Sequence, residues 1–592
     1  MNTTSYVAAA EELRANREQW RVYESEGNCV VQAGPGGGKT KTITVKIARL
    51  LGENVRRPRR LACITYSNAC VGELRGRLRK LGVADDDRLL ISTVHSFCLT
   101  ELVLPYARLA GIAVPDPLMV ASPSQAHELF RQAYVQTVGA VCPNWFRLEC
   151  NKLRRSIVDR KSAEWKNSDR RETSVVKAYE GLLLQNGVID FDGLVLVGLE
   201  LVENHEWVRR SIESKYPVIV IDEYQDLGLP LHRMVTALMS KAGVRVIAVG
   251  DPDQSIYGFT GAKPSLLRTL EKFPHVEAIR LKLNYRCADR IIKASQTLLT
   301  DPGDFESHDG RQGEIQIYEV ERDVRGQADY ALGTVVPALL KANPTWKLGD
   351  IALLYRTLNE GQAIADAADD IGMRYFRSDN GSPIKRSRLT EWLTEAAKWC
   401  SGGWESGVVS LADLLRSWRL MRRSLTREAD ALEARARLIA SLFAHRDGSM
   451  QLRKWLVALR DAALADAFDQ EPGLAEEKDN FEDLLKAAEK GGALESYTVE
   501  IFGNQGKSPD QINLMTLHSS KGLEFEAVIM VGLEAGAFPN VYERTQEQID
   551  EAARLFYVGV TRAKNTVHLM YESNESPFIT SIRQASHPPA HK

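Results

Sequence analysis

The stretch Ala33-Gly-Pro-Gly-Gly-Gly-Lys39-Thr40 decides the fold of this chain. It follows a short apolar run, residues 29–33, and it opens a predicted helix, which is the setting of a phosphate-binding loop. Glycines let backbone N–H groups close around phosphate oxygens, and the start of the helix adds positive dipole potential. Lys39 can neutralise phosphate charge, and the Thr40 hydroxyl can hold Mg²⁺. The stretch predicts a nucleotide-binding α/β domain, and a ligand-free glycine-rich turn is the alternative. Ala33 departs from the strict pattern, which begins with glycine.

Two carboxylates follow another apolar run downstream of the loop. Residues 218–221 form the run, and Asp222 and Glu223 come directly after it. Asp222 is suited to hold a metal ion, and Glu223 is suited to polarise an attacking water. An Asp-Glu pair alone is often a solvated turn, but together with the phosphate loop it indicates hydrolysis of a nucleoside triphosphate.

A third polar segment follows the run of residues 244–249. Gln254 in this segment is suited to orient water or to sense a γ-phosphate, and Tyr257 and Phe259 follow it. Aromatic side chains can stack on bases, although aromatic residues more often belong to a core. Taken alone, the segment therefore favours core positions for the two rings over base stacking.

Two sets of short β-branched runs indicate two parallel sheets that are covered on both faces by helices. The first set comprises residues 29–33, 61–65, 89–93, 218–221 and 244–249, and the second comprises 278–283, 315–320, 351–355, 512–517, 528–531 and 567–570. Residues 100–190 and 386–506 have helical periodicity and are rich in helix-forming residues. The predicted fold class is α/β, with two domains that are each interrupted by a mostly helical insertion.

The composition excludes several classes of protein. A chain of 592 residues has room for about four domain-sized units. Lysine and arginine number 76 and aspartate and glutamate 78, so the net charge is −2. This balance excludes binding of nucleic acid by bulk positive charge and leaves a local basic groove possible. No apolar stretch approaches the about 20 residues of a membrane span, and the polar N-terminal residues lead us to expect no signal peptide.

The eight cysteines are scattered, and no Cys-x-x-Cys pair occurs. This spacing argues against a zinc or iron–sulfur site. Most of the cysteines lie in apolar segments, as small core residues do. We expect a reducing, cytoplasmic location without a membrane partner.

These segments resemble the motifs of the UvrD/Rep/PcrA group of superfamily 1 DNA helicases, and the resemblance continues to the C-terminus. Further segments are similar to the remaining motifs, in the family's order: Asn16-Arg-Glu-Gln19, Thr65-Tyr66-Ser-Asn68-Ala, Thr93-Val-His95-Ser96-Phe97, Asn284-Tyr285-Arg286, Leu354-Tyr355-Arg356, Leu517-His518-Ser-Ser-Lys521-Gly-Leu-Glu524-Phe525 and Leu555-Phe-Tyr557-Val-Gly-Val-Thr561-Arg562-Ala-Lys. The resemblance implies two RecA-like P-loop NTPase domains, with ATP and Mg²⁺ in the cleft between them. It also implies ATP-driven stepping, 3′ to 5′, along single-stranded DNA.

The expected boundaries follow from the runs and from the resemblance. The first RecA-like domain would comprise residues 1–100 and 191–274, with helical insertion 1B at 101–190. The second would comprise 275–385 and 507–592, with a reduced helical insertion 2B at 386–506.

The resemblance implies a role for each residue of the nucleotide site. Gln19 would read adenine, Tyr285 would stack on it, and Glu524 would contact the ribose. The phosphates would contact Ala33, Gly34, Pro35, Gly36, Gly37, Gly38, Lys39, Thr40 and Lys41. Thr40 and Asp222 would hold Mg²⁺. The expected catalytic residues are Lys39, Asp222, Glu223 as base, Gln254 as coupler, and Arg286 and Arg562 as arginine fingers.

The resemblance also implies a DNA track over both domains. Its members would be Tyr66, Asn68, His95, Tyr257, Phe259, Arg356 and His518. Stacking of about 1–3 kcal/mol per base explains binding that tolerates any sequence and needs no basic chain. The expected substrates are single-stranded DNA and junctions of single- and double-stranded DNA.

Several features depart from the family pattern. Thr260 stands where the family commonly has arginine, and the second insertion is short. No C-terminal nuclease is expected, because the chain ends about 30 residues after Arg562. Two basic stretches, residues 152–171 and 416–427, could hold duplex phosphates or could be solvated helix faces.

Two other functions stay open at this point. The first is a nucleotide-responsive subunit that gates a separate nuclease, as in anti-phage systems such as Gabija, with little unwinding by itself. The second is RNA as the substrate, which the resemblance disfavours. Repair, replication and phage defence are the expected settings.

Overall fold

The computed structural model describes residues 3–83, 86–379, 382–385, 387–406, 409–422, 427–471, 474–505 and 508–586. The chain divides into two compact units. The first comprises Met1–Gln312 and Glu543–Thr561, and the second comprises Gly313–Tyr542 and Arg562–Lys592.

The strands of the first unit are β1 (Asn28–Ala33), β2 (Leu61–Thr65), β3 (Leu89–Thr93), β4 (Met119–Val120), β5 (Val188–Ile189), β6 (Val218–Ile221), β7 (Arg245–Gly250), β8 (Val276–Leu281), β9 (Leu283–Asn284) and β10 (Glu306–Ser307). Six of these strands form a parallel sheet in the order β3-β2-β6-β7-β1-β8. Every residue of β2 and β6 is buried, as continuous apolar runs predict. Because all six strands are parallel, their carboxyl ends meet at one edge, where the motif residues follow.

One strand differs from the expected grouping. The sequence pattern predicts that residues 278–283 belong to the second set of runs. In the structure, β8 (Val276–Leu281) pairs along its whole length with β1 and forms an edge of the first sheet. Sequence order alone does not tell which of two sheets receives a strand at their boundary, because the strand's own pattern is similar in both.

Helices cover both faces of the first sheet. One face carries the helices Arg17–Glu24, Lys39–Glu53 and Asn68–Lys80, and the other carries Phe191–Asn204, Glu206–Lys215 and Leu229–Ala242. Helix Ser265–Glu271 contacts β1 and β8, and helices Asp289–Gln296 and Gln546–Val560 also belong to this unit. Ser67 and Thr93 are N-caps of the chain segments that follow β2 and β3, where each accepts a backbone N–H.

A helical insertion follows β3. Its helices are Pro123–Val138, Asn144–Ser156, Ala163–Asn167 and Arg170–Gln185, and they enclose a small core of their own. A buried ion pair ties the insertion to the start of the next helix. Arg154 is 1% exposed and donates two hydrogen bonds to Asp190, of 2.7 and 3.1 Å. The Tyr179 hydroxyl donates a third to the same carboxylate at 3.0 Å.

We expect Arg154→Ala to destabilise the protein by about 3–5 kcal/mol, because it would leave the Asp190 carboxylate buried without its cation. Burial by itself raises the pKa of Asp190, and Arg154 overcomes this effect, so the pKa lies below its ordinary value. The midpoint of urea unfolding measures the loss. Arg171→Ala, on the exposed surface of the same insertion, is the matched control, and equal midpoints for the two variants would contradict the prediction.

The second unit contains β11 (Glu314–Glu319), β12 (Ile351–Tyr355), β13 (Tyr375–Arg377), β14 (Ile512–Thr516), β15 (Phe525–Met530) and β16 (Ala563–Tyr571). These strands form a parallel sheet in the order β11-β16-β15-β12-β14-β13. Its core includes residues of the helices Val324–Tyr330, Val336–Ala342 and Leu358–Asp370. The last described helix is Pro577–Ser586.

The second insertion lies between β13 and β14. Its helices are Arg388–Lys398, Leu411–Met421, Glu428–Ala444, Leu452–Leu459, Ala465–Gln470, Ala475–Ala487 and Val499–Gly503. They enclose a separate apolar core that contains the buried rings of Trp392, Trp418 and Trp455. Among the described helices of the whole chain, none combines the length and the apolar character that crossing a lipid bilayer requires.

Candidate nucleotide site and nucleic-acid surface

The phosphate loop connects β1 to the helix that begins at Lys39. Gly36 and Gly38 have positive φ angles of 67° and 77°, which favour glycine, and the Gly37 N–H donates to the Gly34 carbonyl at 3.1 Å. A Cβ on Gly36 would lie 2.6 Å from Arg286 Cβ, so a side chain has no room there. The first N–H groups of the helix lack partners within the helix, which makes this turn an anion site.

The charge of Lys39 is balanced within the site. Its ammonium lies 4.0 Å from a carboxylate oxygen of Glu223, and both side chains are largely buried. A phosphate that bound the loop would compete with Glu223 for this cation. The pair therefore couples the predicted phosphate ligand to the predicted catalytic base.

Two buried carboxylates lie at the carboxyl ends of β6 and β7. Asp222 is 4% exposed, and its Oδ1 has no hydrogen-bond partner among the described residues. Burial, followed by the neighbouring Glu223 carboxylate, raises the pKa of Asp222, and burial also raises the pKa of Asp251. Because burial disfavours the ionised form of these carboxylates, a bound cation would stabilise it. Their hard oxygen donors and the unpaired Oδ1 fit Mg²⁺, which the sequence analysis assigned to Asp222 and Thr40.

Glu223 has an unusual backbone conformation. Its φ is 53°, in the left-handed region that costs a non-glycine residue free energy and that occurs most often at functional sites. The Gln225 side-chain amide donates to the Glu223 carboxylate, and the Gln225 oxygen accepts the Asp251 N–H at 3.0 Å. Gln225 thus joins the ends of β6 and β7. Sequence reasoning missed it, and its only signal was its position directly after the carboxylate pair.

The predicted adenine-binding residues lie beside the loop. The Gln19 amide donates to the Gly37 carbonyl at 3.4 Å, and the Tyr285 N–H donates to the Gly36 carbonyl at 2.9 Å. Asn16 connects the two, because it accepts the Gln19 N–H at 3.0 Å and donates to the Tyr285 hydroxyl at 3.0 Å. The Tyr285 ring is 41% exposed, and the His308 ring packs against it with the ring centroids 4.5 Å apart. The linking role of Asn16 was not predicted, although its place three residues before Gln19 is typical of an N-cap.

Arg286 belongs to the first unit in the structure, although the expected boundary at residue 275 placed it in the second domain. Its N–H donates to Asn284 Oδ1 at 2.8 Å, and its guanidinium donates to the Thr561 carbonyl at 3.4 Å. Arg562 and Glu524 belong to the second unit. Arg562 is 1% exposed and donates to the Leu523 carbonyl at 3.2 Å, while Lys564 lies 3.5 Å from Glu524.

Two of the predicted DNA-binding residues of the first unit are stacked on each other. The rings of Tyr66 and Tyr257 are 5.8 Å apart and inclined by only 21°. Asn68 begins the helix Asn68–Lys80, one residue after the Ser67 cap. Phe259 lies in the short turn of helix Gly258–Thr260, and its side chain lies outside what the structure describes. The stacked pair is the clearest base-sized aromatic feature among these residues.

His95 lies in a less accessible place. It packs edge-on against Phe191 at 5.2 Å, and burial lowers its pKa although Asp192 opposes this effect. A cavity of about 80 Å³ lies beside it, lined by apolar side chains and by Tyr66, His95, Arg155, Asp192 and Thr260. A neutral histidine here can donate or accept a hydrogen bond but contributes no positive charge.

The predicted DNA-binding residues of the second unit lie at the carboxyl ends of β12 and β14. Arg356 donates to the Ala537 carbonyl at 2.7 Å, and its guanidinium lies over the Phe538 ring at 4.7 Å. His518 lies half-buried in the turn after β14. The structure thus brings these two residues to one edge of the second sheet.

Both basic stretches of the insertions contain arginines with internal partners. Arg155 donates to Asp192 at 2.8 Å and to the Thr260 carbonyl at 2.7 Å, and Arg160 donates to Glu180 at 2.9 Å. In the second insertion, Arg422 is 2% exposed and lies 3.8 Å from Glu471. Arg423 lies outside the described residues. The guanidinium groups of these three arginines are therefore held by partners within the protein.

This chain is similar to known DNA helicases over most of its length. Residues 15–275 match the UvrD/REP helicase N-terminal domain, and residues 440–574 match the UvrD-like helicase C-terminal domain. The ATP-dependent DNA helicase Rep of Escherichia coli is 28% identical, with 93% of this chain and 90% of Rep covered. The ATP-dependent DNA helicases PcrA of Staphylococcus epidermidis and Staphylococcus aureus are 23% and 24% identical, over 96% and 94% of this chain and 84% and 83% of theirs.

The relatives match 93–96% of this chain, and the two family models match parts of both of its sheets. The UvrD N- and C-terminal domains are RecA-like P-loop folds, so the predicted α/β class with two such domains is confirmed. The chain therefore belongs to the UvrD/Rep/PcrA-like family of superfamily 1 helicases.

Proposed function

We propose that the chain is an ATP-dependent DNA helicase that moves 3′ to 5′ along single-stranded DNA. One observation carries the proposal: a short segment connects the candidate nucleotide site to the stacked tyrosines. Gln254 at its start donates to Asp251, and Tyr257 three residues later stacks on Tyr66. A movement of Gln254 in response to the γ-phosphate can therefore be transmitted to the stacked tyrosines along a short segment of the chain.

The first unit's geometry supports the proposed roles of its nucleotide-site residues. The loop N–H groups and Lys39 bind the phosphates of ATP, and Glu223 takes a proton from the attacking water. When bound through Thr40 and Asp222, Mg²⁺ supplies positive charge to the phosphate oxygens. Gln19 and Tyr285 hold the base. Arg562 and Glu524 keep the finger and ribose roles that the family resemblance implies for them.

The names of the relatives favour a helicase over the alternative of a nuclease-gating subunit. A separate nuclease partner stays a proposal, which co-purification of the chain with its neighbours would test. Each of the eight cysteines lies in the described part of the chain, and none forms a disulfide. Together with a DNA substrate, this favours the cytoplasm.

The test compares ATP turnover with and without DNA and RNA, and then unwinding of duplexes with a 3′ or a 5′ tail. We expect single-stranded DNA to stimulate turnover and only the 3′-tailed duplex to be unwound. Lys39→Ala should lower DNA-stimulated turnover by about 100- to 1,000-fold, because it removes a positive charge aimed at the phosphates. Stimulation by RNA alone, or equal turnover by Lys39→Ala, would reject the proposal.

The stacked pair gives a separate prediction about DNA affinity. We expect Tyr257→Ala to weaken binding of an oligonucleotide by about 1–3 kcal/mol, the range for one lost base stack. Fluorescence anisotropy with a labelled single strand measures the change. Tyr257→Phe keeps the ring and should bind within a factor of about two of the wild type. Equal weakening by both variants would show that the hydroxyl, and not stacking, is responsible.

A further inference from the structure

The helix Gln546–Val560 belongs to the first unit, and two of its side chains form hydrogen bonds with the segment that contains Tyr257. Glu551 accepts the Gly258 N–H at 2.8 Å, and Arg554 donates to the Ser255 carbonyl at 2.8 Å. The two side chains lie one turn apart on the same face of the helix. They therefore hold both ends of the four-residue segment 255–258 by its backbone.

The contact with Glu551 is close. A Cβ on Gly258 would lie 2.6 Å from one Glu551 carboxylate oxygen and 2.9 Å from its carboxyl carbon. Glycine at this position allows the helix to approach the backbone. A shift of Gly258 therefore has to move Glu551, or it has to break the hydrogen bond between them.

The same helix contacts the nucleotide side of the unit. It ends next to Thr561, whose carbonyl accepts hydrogen bonds from the Arg286 guanidinium at 3.4 Å and from the Cys287 thiol at 3.5 Å. Arg286 lies against the phosphate loop, where its Cβ is 2.6 Å from the position that a Gly36 Cβ would take. One rigid helix thus contacts the segment next to the stacked tyrosines and the segment next to the phosphate loop.

We propose that Glu551 and Arg554 are positioning residues that transmit DNA binding at the Tyr66–Tyr257 surface to ATP hydrolysis, so that they set the DNA stimulation of turnover. The proposal rests on the proposed function and deepens it. A base that displaces Tyr257 moves residues 255–258, and the two side chains pass that movement to the helix and to the Arg286 contact.

The experiment measures basal turnover, DNA-stimulated turnover and oligonucleotide affinity for the full chain. In Glu551→Ala and Arg554→Ala we expect the ratio of stimulated to basal kcat to fall by about 10-fold or more, within the range of allosteric couplings. Basal kcat and oligonucleotide affinity should stay within about three-fold of the wild type, since neither side chain contacts a predicted ligand. Glu547→Ala, on an exposed position one turn earlier, is the charge-matched control.

A second pair of variants distinguishes loss of the proposed coupling from loss of folding. Gly258→Ala should lose stimulation because its Cβ collides with Glu551, and the double variant Gly258→Ala with Glu551→Ala should lose less than the sum of the two single effects. Purely additive losses, or full stimulation in both Glu551→Ala and Arg554→Ala, would overturn the proposal. So would a parallel fall of basal turnover and affinity, which would make the residues merely structural. Wild-type turnover that DNA does not stimulate would instead reject the proposed function.

Discussion

Replacing Glu223 with glutamine is expected to lower kcat for ATP hydrolysis by about 10²–10⁴-fold, the usual contribution of a general base. Glutamine has nearly the same shape as glutamate and can still accept the hydrogen bond that the Gln225 amide donates. It cannot take a proton from water. The loss should therefore fall on the chemical step, in the presence and in the absence of DNA.

ATP affinity should not fall in the same variant. Glu223 lies 4.0 Å from the Lys39 ammonium and competes with phosphate for it. Without the negative charge of Glu223, the Lys39 ammonium can interact with the ATP phosphates without competition. The dissociation constant for ATP should therefore be equal or lower. Steady-state turnover and equilibrium binding of a fluorescent ATP analogue separate these two effects.

The matched control is Glu206→Gln, on the exposed start of helix Glu206–Lys215. It removes the same charge at an exposed position outside the carboxylate pair and should leave kcat within about two-fold. If Glu223→Gln kept turnover near the wild-type value, another residue would be the base. If it raised KM alone, Glu223 would be a binding residue.

Patterns among residues that are close in sequence predicted several local features of this site. Glycines at positions 36 and 38 indicated a tight loop, and the structure gives both of them positive φ angles. Asp222 and Glu223 were assigned by their place after a buried strand, and the structure confirms that place at the end of β6. Such features follow from residues near each other in sequence, which is why pattern reasoning finds them.

Partners that are distant in sequence were not predictable in this way. The stretch of basic residues around position 154 gave no sign that Arg154 pairs with Asp190, 36 residues later, or that Arg155 reaches the Thr260 carbonyl. A run of basic residues indicates only that the segment is positively charged. Whether one of its arginines is buried depends on which helix packs against it. The assignment of β8 to the first sheet has the same cause, because pairing between strands is a long-range property.

Replacing Arg286 with alanine is expected to lower kcat by about 10³–10⁵-fold, the contribution of an arginine finger to phosphoryl transfer. The structure holds this residue firmly in the first unit. Its backbone N–H donates to the buried Asn284 side chain at 2.8 Å, and its Cβ lies against the phosphate loop at Gly36. The backbone of Arg286 therefore lies beside the phosphate loop, as a role at the phosphates requires.

Arg286→Lys should recover only a small part of the lost turnover. The guanidinium is planar and can donate two parallel hydrogen bonds to a phosphoryl group, whereas the lysine ammonium is a point charge on a flexible stem. Arg290→Ala, at an exposed position on helix Asp289–Gln296, is the matched control and should leave kcat unchanged. Because the Arg286 side chain also donates to Thr561, a structural role would lower stability and ATP affinity in the alanine variant. A finger role instead predicts normal ATP binding with lost turnover, and full turnover in Arg286→Ala would exclude Arg286 from catalysis.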